Sequence, residues 1–326
     1  MYLYTKYIVA LLILCYLIQS AVYAQPLNSD AQKNHDLEAI TITSKAIDEN
    51  FFIDLILNDK SLYESFTNMK AFSFIAENEI FTFDKQNIEG HIYKKIAHCN
   101  SNNNYAQIIL DSLDSGKVYK NNGKYRLFTV QMFNYMFENI HSTDFTAHIP
   151  NNKKNIFNKE LYKAKLKILI FNPGKQITDI PFISSKSEIF KPKLKRLYQS
   201  KITKIYYNNQ EAYKFEYYIR PEYAKDNSLI IQRLNTIIDK QNSKILSRFI
   251  HLKYKNFLFD FDINMNIETT IINNLYLPNK IIYDGSWNIL FKKTEKAKFS
   301  IHHYNYIKNN SSNPIGFCKQ HTNITK

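Results

Sequence analysis

From residue 257 to residue 268 the chain alternates. Phe257, Phe259, Phe261, Ile263, Met265 and Ile267 are separated by Leu258, then Asp260, Asp262, Asn264, Asn266 and Glu268. Successive side chains on a strand point to opposite faces, so this pattern gives one apolar and one wet face. A helix would scatter the same residues around its circumference. One-sided strands are the mark of antiparallel sheet, because parallel strands are covered on both faces.

The period recurs. In 244–254, Leu246, Ile250, Leu252 and Tyr254 share a face with Arg248. In 161–171, Tyr162, Ala164, Leu166, Ile168 and Ile170 oppose Lys163, Lys165 and Lys167, which predicts another strand. Weaker runs lie at 70–83, 88–97, 201–207, 211–219, 229–239, 279–283 and 298–306. Between them stand Asn100 to Asn104, Asn121-Asn122-Gly123, Asn208-Asn209, Asn273-Asn274 and Asp284-Gly285. Asn tolerates the left-handed backbone of tight turns, and the whole chain has only six Gly.

Helical spacing is confined to two places. Ile47, Phe51, Leu55 and Leu62, with Phe52 and Ile56 beside them, predict a helix over 46–58. Val130, Phe133, Phe137 and Ile140 predict a second over 129–140. The resulting fold class is α+β, mainly antiparallel β: a large curved sheet, an unclosed half-barrel, with helices on its concave face. So many strands must curl or split. No repeat of solenoid length recurs.

The first 24 residues read as an address. Lys6 precedes an uncharged apolar run from Tyr7 to Ile18, and Ala21-Val22-Tyr23-Ala24 supplies small residues where a signal peptidase cuts. A bilayer span needs about 20 residues, more than this run offers. The organisation is therefore a signal peptide over 1–24, a linker with a short strand over 25–45, one curved-sheet domain over 46–308 and a tail over 309–326. Export to the periplasm or outer cell surface follows.

The leader contains one of the 43 basic and none of the 29 acidic residues, so its removal leaves 42 against 29, a formal +13. Outside the cytoplasm such a charge meets anionic membrane surfaces or glycans, not nucleic acid. A plain lysine-rich surface from AT-rich coding explains it equally well. Two cysteines remain beyond the leader, Cys99 and Cys318, and an oxidising compartment allows them to pair.

Signatures of catalysis are missing from the linear sequence. The ladder Asp260, Asp262, Glu268 lacks the glycine that bends a calcium loop. His302 and His303 fall on opposite strand faces, and His91 and His98 have no partner at a ligand spacing, so no metal or cofactor is expected. Asp284-Gly285 predicts a hairpin turn and no nucleophile elbow. Aromatic abundance remains, with 24 Tyr and 23 Phe. Tyr213, Phe215, Tyr217, Phe257, Phe259 and Phe261 are the candidates for lining a ligand cavity, if the sheet is open and its helices do not fill it.

Some segments resemble a known group. Leu37-Glu-Ala-Ile-Thr-Ile-Thr-Ser-Lys45, with a helix ending near Asn58, resembles the segment after a carboxypeptidase-like regulatory domain in exported envelope proteins of Bacteroidota. Ile237-Ile-Asp-Lys-Gln-Asn-Ser-Lys-Ile245, Leu277-Pro-Asn-Lys-Ile-Ile-Tyr-Asp-Gly-Ser-Trp287 and Phe291-Lys-Lys are similar to their C-terminal region. The strand grammar is also similar to that of the LolA/LolB-like lipoprotein carriers. That resemblance implies an unclosed barrel around a hydrophobic cavity, with helices as a lid and no catalytic residues. The expected function is a non-enzymatic envelope protein binding an apolar ligand, lipid or lipidated partner. The alternatives are a solid-cored structural or adaptor protein and, third, an enzyme acting on envelope polymers.

Overall fold

Ten strands follow from the alternation. In chain order they are β1 (Phe72–Asp84), β2 (Asn87–Ser101), β3 (Asn104–Gly116), β4 (Tyr198–Tyr207), β5 (Gln210–Ile219), β6 (Ile231–Asp239), β7 (Ile245–Lys255), β8 (Phe259–Ile272), β9 (Leu275–Ile289) and β10 (Glu295–Lys308). The computed structural model describes residues 48–101, 104–145, 167–177, 186–224, 226, 229–255, 259–289, 293–308 and 318. The predicted leader, the linker strand, Phe257 and the tail other than Cys318 lie outside the described residues.

All ten strands form one antiparallel sheet in the order β3-β2-β1-β10-β9-β8-β7-β6-β5-β4. The chain lays down a three-strand meander, runs through the helical region, then lays down seven more strands. The last of these, β10, returns to pair with β1. The sheet is open: β3 and β4 are its edges, each with a single neighbour. Asparagine pairs close two of the hairpins. Asn208, Asn209, Asn273 and Asn274 take φ between 49° and 64°, the backbone that a two-residue hairpin requires.

The first three helices pack on one face. The first, α1 (Glu49–Asn58), is capped by Asp48, whose carboxylate accepts the Asn50 N–H at 2.9 Å. Asp59 interrupts the predicted run and starts α2 (Ser61–Met69), accepting from the Ser61 N–H at 2.9 Å and its hydroxyl at 2.8 Å. Leu62 therefore belongs to α2, which packs on β9 and β1. The third, α3 (Phe128–Phe133), continues as a wider π turn over Asn134–Glu138. Its free N–H groups are met from the sheet: Glu295 on β10 accepts from Phe128 N at 3.0 Å and Thr129 N at 3.2 Å. The main core is formed between these helices and the inward residues of every strand but the edge strand β3.

Three expectations need correction. The described part of the predicted 161–171 strand, 167–171, is helical. Ile168, Leu169 and Phe171 are all buried there; a short, nearly continuous apolar run suits a buried helix as well as a strand. Asp284-Gly285 is no turn but the middle of β9, paired with Asn264 and Ile263 on one side and Lys298 and Ala297 on the other. Glycine is needed there because the Tyr283 ring lies over it. A Cβ at Gly285 would clash with the ring carbon Cζ and the hydroxyl of Tyr283. Finally, Leu246 does not share the face of Arg248. A register shift between β6 and β7 turns it outward, onto Ala212 and Tyr276.

Candidate functional site

One row of side chains crosses the helix-covered face from edge to edge. Cross-strand partners align Ile202, Phe215, Thr236, Arg248, Ile267, Ile281, Ile301, Asn78, Lys94 and Ser112. Its centre is aliphatic. Polar groups flank that centre, Thr236 and Arg248 on one side and Asn78 on the other. Arg248 and Asn78 lie four strands apart, about 19 Å at ordinary strand spacing.

Arg248 is the largest fully buried side chain among the described residues. Its Nη1 donates to the Phe171 carbonyl at 3.1 Å. Nε and Nη2 have no hydrogen-bond partner among the described residues. Burial pulls the guanidinium down to about 10, against the opposing pull of Asp59 and Tyr63. Neither of these neighbours forms a hydrogen bond to it. Burial pushes the Asp59 carboxyl up, while its bonds to Ser61 and the charge of Arg248 oppose that. Thr236 Oγ1, Tyr63 Oη and Asn172 Oδ1 are also buried without partners among the described residues. Asn172 spends its amide nitrogen on the carbonyls of Ile56 and Asp59, at 3.1 and 2.8 Å, tying the 167–172 turn to α1 and α2.

Such a cluster is costly. A buried polar atom without a bond loses about 1–3 kcal/mol, and a buried unpaired charge several kcal/mol. The unmet atoms are donors on Arg248, an acceptor on Asn172, and hydroxyls on Tyr63 and Thr236 that serve as either. Together they present what an anionic or carbonyl oxygen needs, next to aliphatic side chains.

A second unmet group lies across the aliphatic centre. Both ring nitrogens of His303, Nε2 of His98, Nε2 of His141 and both amide atoms of Asn78 are buried without partners among the described residues. His98 Nδ1 and the Tyr105 hydroxyl are 2.7 Å apart in a hydrogen bond. Burial, then the neighbouring His141, pulls the His98 imidazole down to about 3; burial, then His98, does the same to His303. His141 falls to about 4 through burial and the charge of Lys70. Phe74 stacks on His98 at 4.4 Å and meets His303 edge-on at 5.7 Å. Among the described residues, no three His, Cys, Asp or Glu converge as a metal site.

Of the sequence-predicted aromatics, Phe215 lies close to Arg248, with Tyr213 and Tyr217 next along its strand. Phe261 lies six residues along β8 from Ile267, the partner of Arg248. Phe215 is the neighbour but one of Arg248 in the row and stacks on Phe52 of α1 at 5.8 Å. Tyr213 is half-buried and edge-on to the same ring at 5.5 Å. Tyr217 is buried, stacks on Tyr198 at 5.0 Å and donates to the Ile189 carbonyl at 3.2 Å. Phe261 is buried between Tyr254 and Trp287, at 6.0 and 5.4 Å. Phe259 opens β8 opposite Ile289, and its side chain, like all of Phe257, lies outside the described residues. Sequence reading passed over Arg248 and Thr236 as functional residues. The available signal was a cation in the apolar register of a strand.

Cys99 and Cys318 are joined by a disulfide, their Cα atoms 5.9 Å apart. They lie on the outer face with Ala97, away from the row. No helix among the described residues is long and apolar enough to cross a membrane.

No known protein family matches the chain, and no curated protein matches it in sequence. Solved structures with a similar arrangement include a LolA superfamily protein from Nitrosomonas europaea, 9% identical with a TM-score of 0.23, over 79% of this chain and 94% of that one. A putative outer membrane lipoprotein-sorting protein domain from Vibrio parahaemolyticus is 7% identical with a TM-score of 0.27, over 83% of this chain and 97% of that one. A DUF1329 family protein from Desulfovibrio piger is 6% identical with a TM-score of 0.27, over 81% of this chain and 94% of that one.

Proposed function

We propose that this chain is an exported, non-enzymatic envelope protein that holds an apolar ligand, a lipid or a lipidated partner, between its sheet and its helices. Arg248 carries the reading, because two of its three guanidinium nitrogens are buried without a partner among the described residues, a cost that a ligand's head would offset. In the complex it takes the ligand's anionic or carbonyl head, with Thr236 and Tyr63 beside it. The aliphatic centre of the row, with Tyr213, Phe215, Tyr217 and Phe261 along the sheet, takes the chain. Apolar surface leaving water drives binding at about 25 cal/mol per Å², and the aligned donors fix the head. The leader and the basic surface support a site of action at an anionic envelope.

The test uses two probes that differ only in their head. Oleate and oleyl alcohol compete for the purified protein against a fluorescent fatty acid. Oleate binds at least about tenfold tighter than the alcohol, the equivalent of about 1.4 kcal/mol, and Arg248→Met removes the difference. Equal binding of the two overturns the head assignment, and binding of neither overturns the function.

One observation favours the second reading, a solid-cored adaptor. Phe52 already fills the space above Phe215. Under that reading neither probe binds, and pull-down from envelope fractions returns a protein without lipid.

A further inference from the structure

The polar cluster beyond the aliphatic centre is built differently from the one around Arg248. Along the row Arg248 is followed by Ile267, Ile281 and Ile301, all fully buried, and then by buried Asn78. Three isoleucines thus bridge two polar ends, about 19 Å apart at ordinary strand spacing. At the far end Asn78 has both amide atoms unmet among the described residues, and buried His303 has both ring nitrogens unmet. Nε2 of His98 is unmet as well. These side chains share one corner of the sheet. His303 stands opposite Ala76 on β1, and Asn78 is the next inward residue along that strand. His98 pairs with Phe74, the inward residue on the other side of Ala76. At their centre β1 itself supplies only a methyl group.

The two ends differ in charge. Arg248 is a cation with free donors. At the far end the next residue in the row, Lys94, is already occupied. Its ammonium donates to Glu138 at 2.9 Å and to the Tyr125 hydroxyl at 2.8 Å. His98 and His303 are uncharged at neutral pH, because burial holds both imidazoles near 3. A neutral imidazole has one donor and one acceptor nitrogen, and a primary amide offers both functions. A corner with donors, acceptors and no free charge matches an uncharged group that is itself both, as a hydroxyl is. A carboxylate only accepts, and would bury a second charge without a cation.

We propose that the ligand is two-ended: an amphiphile whose anionic head sits at Arg248 and whose far end carries a hydroxyl held by Asn78 and His303. This rests on the ligand-binding reading above and adds the chemistry of the second end. The hydroxyl donates to the Asn78 carbonyl oxygen or to the His303 lone pair, and accepts from the Asn78 amide. The isoleucines between the ends take the methylene chain, which crosses the strands. A plain fatty acid covers the same isoleucines but leaves the far polar atoms unmet, at their full desolvation cost.

Competition against a fluorescent fatty acid tests it on the purified protein at neutral pH. Three probes share one chain length: palmitate, 16-hydroxyhexadecanoate and hexadecanedioate. The hydroxy acid binds at least about fivefold tighter than palmitate. The dicarboxylate binds more weakly than the hydroxy acid, because its second charge meets no free cation. Asn78→Leu with His303→Leu replaces the unmet groups by apolar ones, and the hydroxy acid then loses its advantage over palmitate measured in the same variant. If that variant does not fold, the wild-type ranking alone decides. Equal binding of palmitate and the hydroxy acid, or tightest binding of the dicarboxylate, overturns this inference and leaves the ligand-binding reading standing. Failure of palmitate itself to compete overturns both.

Discussion

The two faces of the sheet are made from the same ten strands and differ in how many polar groups they leave unmet. On the inner face Lys94 pairs with Glu138 at 2.9 Å. On the outer face several charges find partners, although Asp260 Oδ1 has none among the described residues. Asp262 takes His251 at 2.8 Å and Lys253 at 3.3 Å, Lys298 takes Asp284 at 2.6 Å, and Glu216 takes Arg233 at 2.9 Å and Lys214 at 3.2 Å. Partial burial pushes Asp262 up, but the bonds to His251 and Lys253 outweigh it and its carboxyl sits below the ordinary range. On the inner face Arg248, Thr236, Asn78, His98 and His303 are more deeply buried and leave polar atoms unmet among the described residues. The outer pairs are cheap surface chemistry. The inner atoms cost stability, which is the reason for proposing that face as the ligand-binding one.

The contrast breaks first with acid. The ordinary imidazole value is 6.5, and folded His98 and His303 are held near 3. Above pH 6.5 these rings are neutral in both the folded and unfolded chain, and stability is at its full value. As pH falls toward 3, the unfolded chain takes up protons that the folded rings refuse. Stability drops by on the order of 5 kcal/mol for each ring across that window. Urea unfolding between about pH 7 and 4 measures the slope. His303→Leu reduces it by about half, and a slope unchanged by that substitution breaks the comparison.

Next in size is the inner aromatic packing. Phe52→Ala removes the ring that covers Phe215 and Tyr213 and costs about 3–5 kcal/mol in thermal or urea unfolding. A loss below about 1 kcal/mol would mean that α1 is not seated on β5. The outer face has one covalent tie among the described residues. Cys99→Ala with Cys318→Ala costs about 2–4 kcal/mol, because the bond closes a loop of 219 residues in the unfolded chain. Smallest is the outer ion pairing: Asp262→Asn changes stability by less than about 1 kcal/mol, and less still in high salt. A larger cost there would erase the distinction between the faces.

Much of this was legible in the sequence, and the failures have physical causes. Strands with one buried face announce themselves, as β8 does from Phe261 to Ile267. Strand β3 was missed because it has almost no buried face: with Ile109, Leu110 and Leu113 all exposed, there is no alternation to read. The 167–171 turn was misread because its buried residues are consecutive. Asp284-Gly285 has the composition of a turn, and only the ring of Tyr283 over the glycine explains its place in a strand. Arg248 was visible as a cation in an apolar register, but nothing linear shows that α2 and the 167–172 turn bring no acceptor to its free nitrogens. That requires residues more than 70 positions apart, since its one bond runs to Phe171.

The central claim is that the Arg248 guanidinium serves a ligand and not the fold. Thermal and urea unfolding of ligand-free Arg248→Met tests this most directly. An apolar side chain of similar volume in place of an unpaired buried charge leaves the protein as stable or raises it by about 1–4 kcal/mol. A fall of about 3–5 kcal/mol, the signature of breaking a satisfied buried pair, would contradict it.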